Sequence, residues 1–196
     1  KQFALGNNDI SDKFQISQKL FGREKEVEQM CSAFERVKQG PREVFIIKGY
    51  TGSGKTALAN ELQSYITQQN GYFISGRFDQ LDQNVPYSAL IESLRSLVQQ
   101  LLSESEESLK AWRAKLSAAL GANGQVIIHM LPEADLIFGA QPGLQALSPV
   151  ETQNRFNTSL QNFIQVFAQA EHPLLMFLDD LQWADSASLA FLQKYA

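Results

Sequence analysis

Apolar residues in this chain recur either at helical spacing or in short uninterrupted runs, and this alternation is typical of an α/β protein. Residues 44–47 form a first apolar run, within a strand predicted over residues 43–48, residues 72–75 begin a second, and residues 174–178 form a third. The third run is apolar at every position, as expected of a parallel strand that is buried on both faces. The sequence therefore predicts a parallel sheet that contains these three strands.

Helical spacing of apolar residues fills the stretches between the runs. A helix is predicted over residues 24–39, before Gly40-Pro41, and a second from Thr56 to about Gln69, before Asn70-Gly71. The remaining predicted helices are one that Pro86 opens, one that ends at Leu120, one over residues 148–170 and one over residues 186–195, with Asp185 as its N-cap.

A glycine-rich loop joins the first strand to the helix that follows it. Residues 49–56 match the pattern G-x-x-x-x-G-K-[ST] in full, which predicts a Walker A nucleotide site. The glycines let backbone N–H groups close around phosphate oxygens, and the N-terminus of the following helix favours anions. Lys55 would reach the β- and γ-phosphates, and the Thr56 hydroxyl would ligate Mg²⁺. The predicted nucleotide-binding residues are Gly49, Tyr50, Thr51, Gly52, Ser53, Gly54, Lys55 and Thr56.

Two adjacent acids, Asp179 and Asp180, end the third apolar run, and this is the Walker B arrangement. Ligands of open α/β sheets bind at the carboxyl ends of the strands, which is where this pair would lie. Asp179 would hold Mg²⁺ directly or through a water molecule, and Asp180 would polarise the water that attacks the γ-phosphate. The other interpretation of Asp180 is a turn or helix N-cap residue. Lys55 and Asp180 are the predicted catalytic residues, and a second acid beside the metal ligand favours hydrolysis over transfer to another acceptor.

Composition narrows the class of protein. The chain has 196 residues and is 44% hydrophobic, which suits one globular domain. Its net charge of -4 argues against a domain that covers nucleic-acid phosphates, because such domains carry a basic face. Its single cysteine, Cys31, excludes an intramolecular disulfide and fits a reducing compartment. No stretch has the length of an apolar membrane helix, and no signal-peptide pattern is present. We expect a cytoplasmic protein without a direct nucleic-acid partner or membrane contact.

Several motifs resemble those of known families. Residues 21–24, the 49–56 loop and residues 178–185, which read Leu-Asp-Asp-Leu-Gln-Trp-Ala-Asp, are similar to the AAA-type ATPase modules of STAND signalling proteins. More narrowly, residues 73–80, 85–89 and 151–157 resemble the predicted-ATPase segment of large bacterial hybrid kinases. In those kinases a Ser/Thr protein kinase domain precedes the module, and GAF and histidine-kinase domains follow it.

The resemblance implies a P-loop NTPase fold of the AAA/ASCE type, a three-layer α/β/α sandwich with a parallel central sheet. It implies ATP and Mg²⁺ as ligands and places Arg23 near the adenine and phosphates, although an arginine at a helix start is also often simply exposed. Arg77 and Arg155 would face phosphates, a neighbouring subunit or solvent.

The resemblance also implies a function, a nucleotide switch in a multidomain signalling kinase. The expected partners are the flanking kinase and sensor domains and a second copy of the chain. Two alternatives stay open, the ATPase module of a STAND-type transcription regulator and a nucleotide-binding scaffold that does not hydrolyse ATP.

The expected domain organisation follows from the same resemblance. Residues 1–19 would be a linker from a preceding domain, and residues 20–196 the N-terminal part of a P-loop ATPase domain with a helical insertion over about residues 103–150. The domain would be truncated after the Walker B strand and one helix. The strand that the family inserts between the loop strand and the Walker B strand, its polar sensor residue, the lid and a downstream arginine would lie beyond Ala196.

Overall fold

The structure is a computed structural model that describes residues 22–40, 42–50, 52–83 and 85–195, without the side chain of Tyr195. The predicted linker over residues 1–19 lies outside the described residues, and so does Thr51.

Within these ranges, two strands pair in parallel, β1 (Tyr72–Arg77) and β2 (Leu174–Asp179). The register sets Tyr72 opposite Leu174 and Arg77 opposite Asp179. Because the strands are parallel and of equal length, their carboxyl ends lie side by side at one edge of the sheet. The acidic pair is therefore placed next to the end of β1.

The strands are surrounded by helices whose positions agree with the helical spacing in the sequence. In chain order they are α1 (Glu24–Val37), α2 (Lys55–Gln68), α3 (Ser88–Leu102), α4 (Glu106–Leu120), α5 (Gly124–Met130), α6 (Asp135–Phe138), α7 (Pro149–Phe167) and α8 (Ser186–Tyr195). The third helix begins at Ser88 and not at Pro86, because Tyr87 takes a left-handed conformation with φ of 64° that a helix cannot include.

Local chemistry explains the start of the longest of these helices. The Ser148 hydroxyl accepts a hydrogen bond from the backbone N–H of Glu151, and the Glu151 carboxylate accepts one from the backbone N–H of Ser148. This is a reciprocal capping box, and Pro149 at the first helical position adds a preset φ. Ser148, Pro149 and Glu151 thus fix together where α7 begins.

The sheet lies between two helical layers. Alternate residues of a strand point to opposite faces, so Ile74 packs into a large cluster with α3, α4 and α7, whereas Phe73 packs with α1 and α2. In β2, Met176 contacts the large cluster and Phe177 contacts the smaller one. This confirms the predicted three-layer α/β/α fold with a parallel sheet.

The predicted first strand is not formed. Residues 43–48 have no strand structure, and Val44, Phe45 and Ile46 are 62%, 46% and 69% exposed. A strand needs a neighbour that supplies its ladder of hydrogen bonds, and in the described part of the chain β1 and β2 pair only with each other. The segment is instead tied to α1 by the ion pair of Arg36 with Glu43, whose Nε–Oε1 distance is 2.5 Å.

The expectation that β2 is buried on both faces is also wrong. Each of its residues is half-buried, although Leu174, Met176 and Leu178 pack on one helical layer and Leu175 and Phe177 on the other. Of the described strands, only β1 lies beside β2, so one flank of β2 keeps accessible surface. The apolar sequence of β2 reflects its contacts with two layers and not complete burial.

Hydrogen exchange tests the unpaired state of residues 43–48. We expect the backbone amides of Val44, Phe45 and Ile46 to exchange at close to the rate of an unstructured peptide, because no ladder protects them. The amide of the fully buried Ile74 in β1 should exchange far more slowly. Equal protection of the two segments, measured by NMR on the same sample, would mean that residues 43–48 have joined a sheet.

Candidate functional site

The two sequence motifs meet at the carboxyl edge of the sheet. The Thr56 hydroxyl, in the first turn of α2, donates a hydrogen bond to Asp179 Oδ2 at 3.2 Å, across 123 positions of the chain. Asp179 is the last residue of β2. The fold thus brings together the two side chains that the sequence predicts as metal ligands.

The 49–56 loop needs its glycines at specific positions. Gly52 and Gly54 have φ of 81° and 84°, in the left-handed region that favours glycine. A Cβ at Gly49 would clash with the Ser53 side chain. The Ser53 hydroxyl is buried and has no hydrogen-bond partner among the described residues, so the inside of the loop holds a polar group available to a ligand.

The predicted phosphate-binding lysine lies over its own loop. Lys55 Nζ donates to the carbonyl oxygens of Gly49 at 2.9 Å and Tyr50 at 3.2 Å. Both bonds are solvent-exposed, and the Tyr50 side chain is 92% exposed. The ammonium is therefore held within the loop by two carbonyls that an anion could replace.

Arg23 also reaches this loop. It precedes α1, and its Nη2 donates to the carbonyl oxygen of Ser53 at 2.6 Å, across 30 positions of the chain. The structure thus gives Arg23 a partner in the loop backbone and does not leave it as an exposed helix-start arginine. A guanidinium carries five N–H donors, and the bond to the Ser53 carbonyl uses one of them.

The second acid is held in an unusual backbone conformation. Asp180 has φ of 54° and ψ of 43°, in the left-handed region, and its N–H donates to Asp179 Oδ1 at 2.9 Å. It occupies the N-cap position of the short helical turn Leu181–Trp183, but its side chain makes no capping hydrogen bond. Asp180 therefore has the position of a helix N-cap, as the alternative interpretation expects, but its side chain does not make the capping hydrogen bond.

The Asp180 side chain is bonded to two other residues. Oδ1 accepts from Gln182 Nε2 at 2.9 Å, and Oδ2 accepts from Arg77 Nε at 2.8 Å. The Gln182 hydrogen bond and the nearby Arg77 guanidinium hold the pKa of this carboxyl below its usual range, although partial burial opposes them. Asp180 is thus an ionised carboxylate at neutral pH.

Gln182 and Arg77 were not predicted as site residues. The sequence predicts only that Arg77 faces phosphates, a neighbouring subunit or solvent, and its place at the end of the second strand is the signal for a role in the site. Arg155, its companion in that prediction, instead donates to the carbonyl oxygen of Gln145 at 2.9 Å.

A buried carboxylate fixes the chain just after the acidic pair. Asp185 Oδ1 accepts from the backbone N–H of Ser188 at 2.8 Å, which confirms its predicted role as the N-cap of α8. Its Oδ2 accepts from the backbone N–H of Tyr87 at 3.2 Å. The Tyr87 hydroxyl in turn donates to Asn157 Oδ1 in α7 at 3.0 Å. Asp185 therefore ties the loop after β2 to the helical layer.

These residues suit a magnesium ion that is shared with a phosphate ligand. Mg²⁺ prefers oxygen ligands and is usually held by one or two protein groups together with substrate phosphates and water. Thr56 and Asp179 supply two such oxygens. In the described ranges, no cluster of three or more His, Cys, Asp or Glu residues forms an all-protein metal site. The donor set thus fits an Mg²⁺ ion whose coordination phosphate oxygens and water would complete.

The fold and this site define the class of protein as a P-loop NTPase with an α/β/α sandwich. The model of the AAA ATPase domain family matches residues 19–195, nearly the whole chain, and the protein belongs to that family.

A curated relative contains a similar sequence within a much longer protein. The chain is 37% identical over 191 residues to the hybrid signal transduction histidine kinase G of Dictyostelium discoideum. The match covers 97% of this chain but only 6% of that relative. No solved structure matches the chain significantly. Across the described ranges, none of the helices combines the length and apolar character needed to cross a membrane.

Proposed function

We propose that this chain binds Mg·ATP at the 49–56 loop and hydrolyses the nucleotide. The observation that carries the proposal is the hydrogen bond between Thr56 Oγ1 and Asp179 Oδ2. It places a hydroxyl from the start of a helix beside a carboxylate from the end of a parallel strand, which is where an open α/β sheet binds its ligand. Membership of the AAA ATPase domain family supports the same function.

The loop would bind the triphosphate through Lys55 and its backbone N–H groups. Phosphate oxygens would replace the carbonyls of Gly49 and Tyr50 as acceptors for Lys55 Nζ, because an anion is the stronger acceptor for an ammonium group. The N-terminus of α2 adds free N–H groups and a favourable dipole. Gly52, Ser53 and Gly54 would line the phosphates, as would Thr51.

Thr56 and Asp179 would hold the Mg²⁺ ion. When bound, the ion would neutralise charge that develops on the β- and γ-phosphate oxygens. Asp179 already accepts hydrogen bonds from the Thr56 hydroxyl and from the Asp180 backbone, so its carboxylate is oriented before a ligand arrives. The protein would therefore need little rearrangement of these two side chains.

Asp180 would orient the attacking water and accept its proton. Its carboxylate lies next to the residue that would hold the metal, and its lowered pKa keeps it ionised. Asp180 Oδ1 accepts one hydrogen bond, from Gln182, and a carboxylate oxygen can accept two, so the water would bind there beside the pair of Asp180 with Arg77.

Arg23 would support nucleotide binding from the side of α1. Its bond to the Ser53 carbonyl holds the loop backbone, and the other donors of the guanidinium would reach the adenine or the phosphates.

The wider role that we propose is a nucleotide switch in a multidomain signalling kinase. The support for this role is that the relative is named a hybrid signal transduction histidine kinase. The aligned residues make up only 6% of that relative. Nucleotide state would alter how this domain packs against flanking kinase and sensor domains or against a second copy of the chain. We place such a protein in the cytoplasm.

Replacement of Lys55 tests the nucleotide site. Lys55→Ala should weaken ATP binding by at least about tenfold, because a charge-assisted contact to phosphate is lost. Calorimetry with Mg·ATP measures the affinity, and circular dichroism checks the fold. The matched control is Lys48→Ala, which removes another exposed lysine just before the loop and should leave the affinity unchanged. Equal affinity of folded Lys55→Ala and the parent would remove the phosphate site from this loop.

Replacement of Asp180 separates binding from hydrolysis. Asp180→Asn should retain Mg·ATP affinity but lower kcat by roughly 10²-fold, because an amide cannot accept the proton of the attacking water. Phosphate release under multiple turnover gives kcat, and calorimetry gives the affinity. Asp79→Asn is the control and should leave kcat unchanged. Asp79 is exposed, and its carboxylate caps a turn by accepting a hydrogen bond from the backbone N–H of Leu81. Turnover of Asp180→Asn at the parental rate would show that this acid is structural.

A further inference from the structure

Tyr87 joins three of the motifs that resemble known families, although they lie far apart in the sequence. It belongs to the 85–89 motif, and its hydroxyl donates to Asn157 Oδ1, in the 151–157 motif, at 3.0 Å. Its backbone N–H donates at 3.2 Å, across 98 positions, to Oδ2 of Asp185, which ends the Walker B motif. The proposed nucleotide site uses neither Tyr87 nor Asp185, so their contact needs an explanation of its own.

Tyr87 is held in a backbone conformation that is unfavourable for a bulky side chain. Its φ of 64° and ψ of 15° lie in the left-handed region. Among the described residues other than glycine, Asn70 and Asp180 are the other two with positive φ. Asn70 follows the C-cap of α2, where a left-handed residue is common. Tyr87 and Asp180 instead lie on the two loops that Asp185 joins, and such conformations persist only where the surroundings fix them.

The Asp185 carboxylate is the group that fixes the backbone of Tyr87. Asp185 is 8% exposed, and its Oδ2 accepts from the Tyr87 N–H and from the Ser188 hydroxyl, the latter at 2.5 Å. The Tyr87 carbonyl accepts from the N–H of Ile91 at 2.8 Å and so starts α3. Both backbone polar groups of Tyr87 are therefore bonded, one to α3 and one to Asp185.

A closed turn connects Asp185 to the acid that would activate water. The Trp183 N–H donates to the Asp180 carbonyl at 2.9 Å, and the Ala184 N–H donates to the Leu181 carbonyl at 3.1 Å. The turn thus begins at Asp180, and Asp185 follows it directly. Because these bonds stiffen the turn, a group that holds its far end also limits how Asp180 can rotate.

We propose that Asp185 is a positioning residue for ATP hydrolysis. Its bond to the Tyr87 backbone fixes the end of the turn, so the Asp180 side chain keeps the orientation in which it accepts the proton of the attacking water. The inference rests on the hydrolysis proposed above and adds a residue that acts on kcat alone.

Nucleotide binding should not depend on this anchor. Asp179 ends β2, where the pairing with β1 holds its backbone and the Thr56 hydroxyl donates to its carboxylate. These contacts stay when the bond between Asp185 and Tyr87 is lost. A change that breaks the bond therefore separates the two acids, because it disturbs Asp180 and spares the residue that would hold Mg²⁺.

The test is Asp185→Ser, which keeps the helix cap but breaks the anchor. Serine caps a helix as well as aspartate does, so the Ser188 N–H keeps an acceptor, whereas the shorter side chain does not reach Tyr87. We expect kcat to fall by roughly 10-fold to 100-fold, since a displacement of about 1 Å at a catalytic group can cost about 10²-fold. KM and the calorimetric affinity for Mg·ATP should match those of the parent protein.

A second background tests whether Asp185 acts through Asp180. In Asp180→Asn, the further change Asp185→Ser should lower the residual kcat little, because the group that it orients is already gone. A general loss of structure would lower kcat in both backgrounds alike. The matched control is Ser105→Ala, because Ser105 caps α4 by accepting from the Ser108 N–H at 3.2 Å, and α4 contributes no residue to the proposed site. This control should keep the parental kcat and KM.

Amide exchange measured by NMR without nucleotide reports on the anchoring bond itself. In Asp185→Ser the Tyr87 amide should exchange faster than in the parent, because its acceptor is gone. The amide of the fully buried Ile74 in β1 should stay protected in both proteins, which shows that the fold is retained. Asp185→Thr, which fills more of the buried space and can also cap a helix, replaces Asp185→Ser if the latter does not fold.

The possible results separate the positioning role from the proposed hydrolysis. Equal protection of the Tyr87 amide in parent and variant would contradict the anchor. Parental kcat in a folded variant whose Tyr87 amide is released would contradict the positioning role, and so would a weakened affinity for Mg·ATP, which would place Asp185 in binding. A parent protein that binds Mg·ATP without turnover would instead contradict the hydrolysis, and the role of Asp185 would fall with it.

Discussion

The parallel pairing of β1 with β2 is the constraint on which the site depends. Its register sets Arg77 beside Asp179, and so aligns the end of one strand with the acidic pair that ends the other. The N-terminus of α2 then meets this edge through the contact of Thr56 with Asp179. A slip of one residue would turn the side chains of the slipped strand to the opposite faces of the sheet and would separate the ion pair of Arg77 with Asp180.

The helical layers hold that pairing in place. The large cluster on one face joins both strands to α3, α4 and α7, and the smaller one joins them to α1 and α2. The buried Asp185 extends this support past the end of β2, because it caps α8 and accepts from the backbone of Tyr87. The acidic pair is therefore fixed from both directions, by the strand before it and by the capped helix after it.

Local patterns predicted most of the helices and the two motifs. The capping box of Ser148 with Glu151 and the spacing of residues 49–56 are encoded within a few positions, so they could be found without the fold. The strand predicted at residues 43–48 does not form. An apolar run favours an extended segment, but the strand with which it would pair is set by distant parts of the chain. The contact of Arg77 with Asp180 spans 103 positions and depends on the sheet register, so no local pattern could reveal it.

The central claim is that Thr56 and Asp179 act as one site for magnesium with ATP, and a double-mutant cycle of Thr56→Val and Asp179→Asn tests it most directly. The measured quantity is the gain in ATP affinity on addition of Mg²⁺, obtained by calorimetry for the parent, the two single variants and the double variant. We predict that each single change removes most of this gain and that the double variant loses little more, with a coupling of about 0.5–3 kcal/mol. Additive losses, or a magnesium effect that survives in the double variant, would contradict the account.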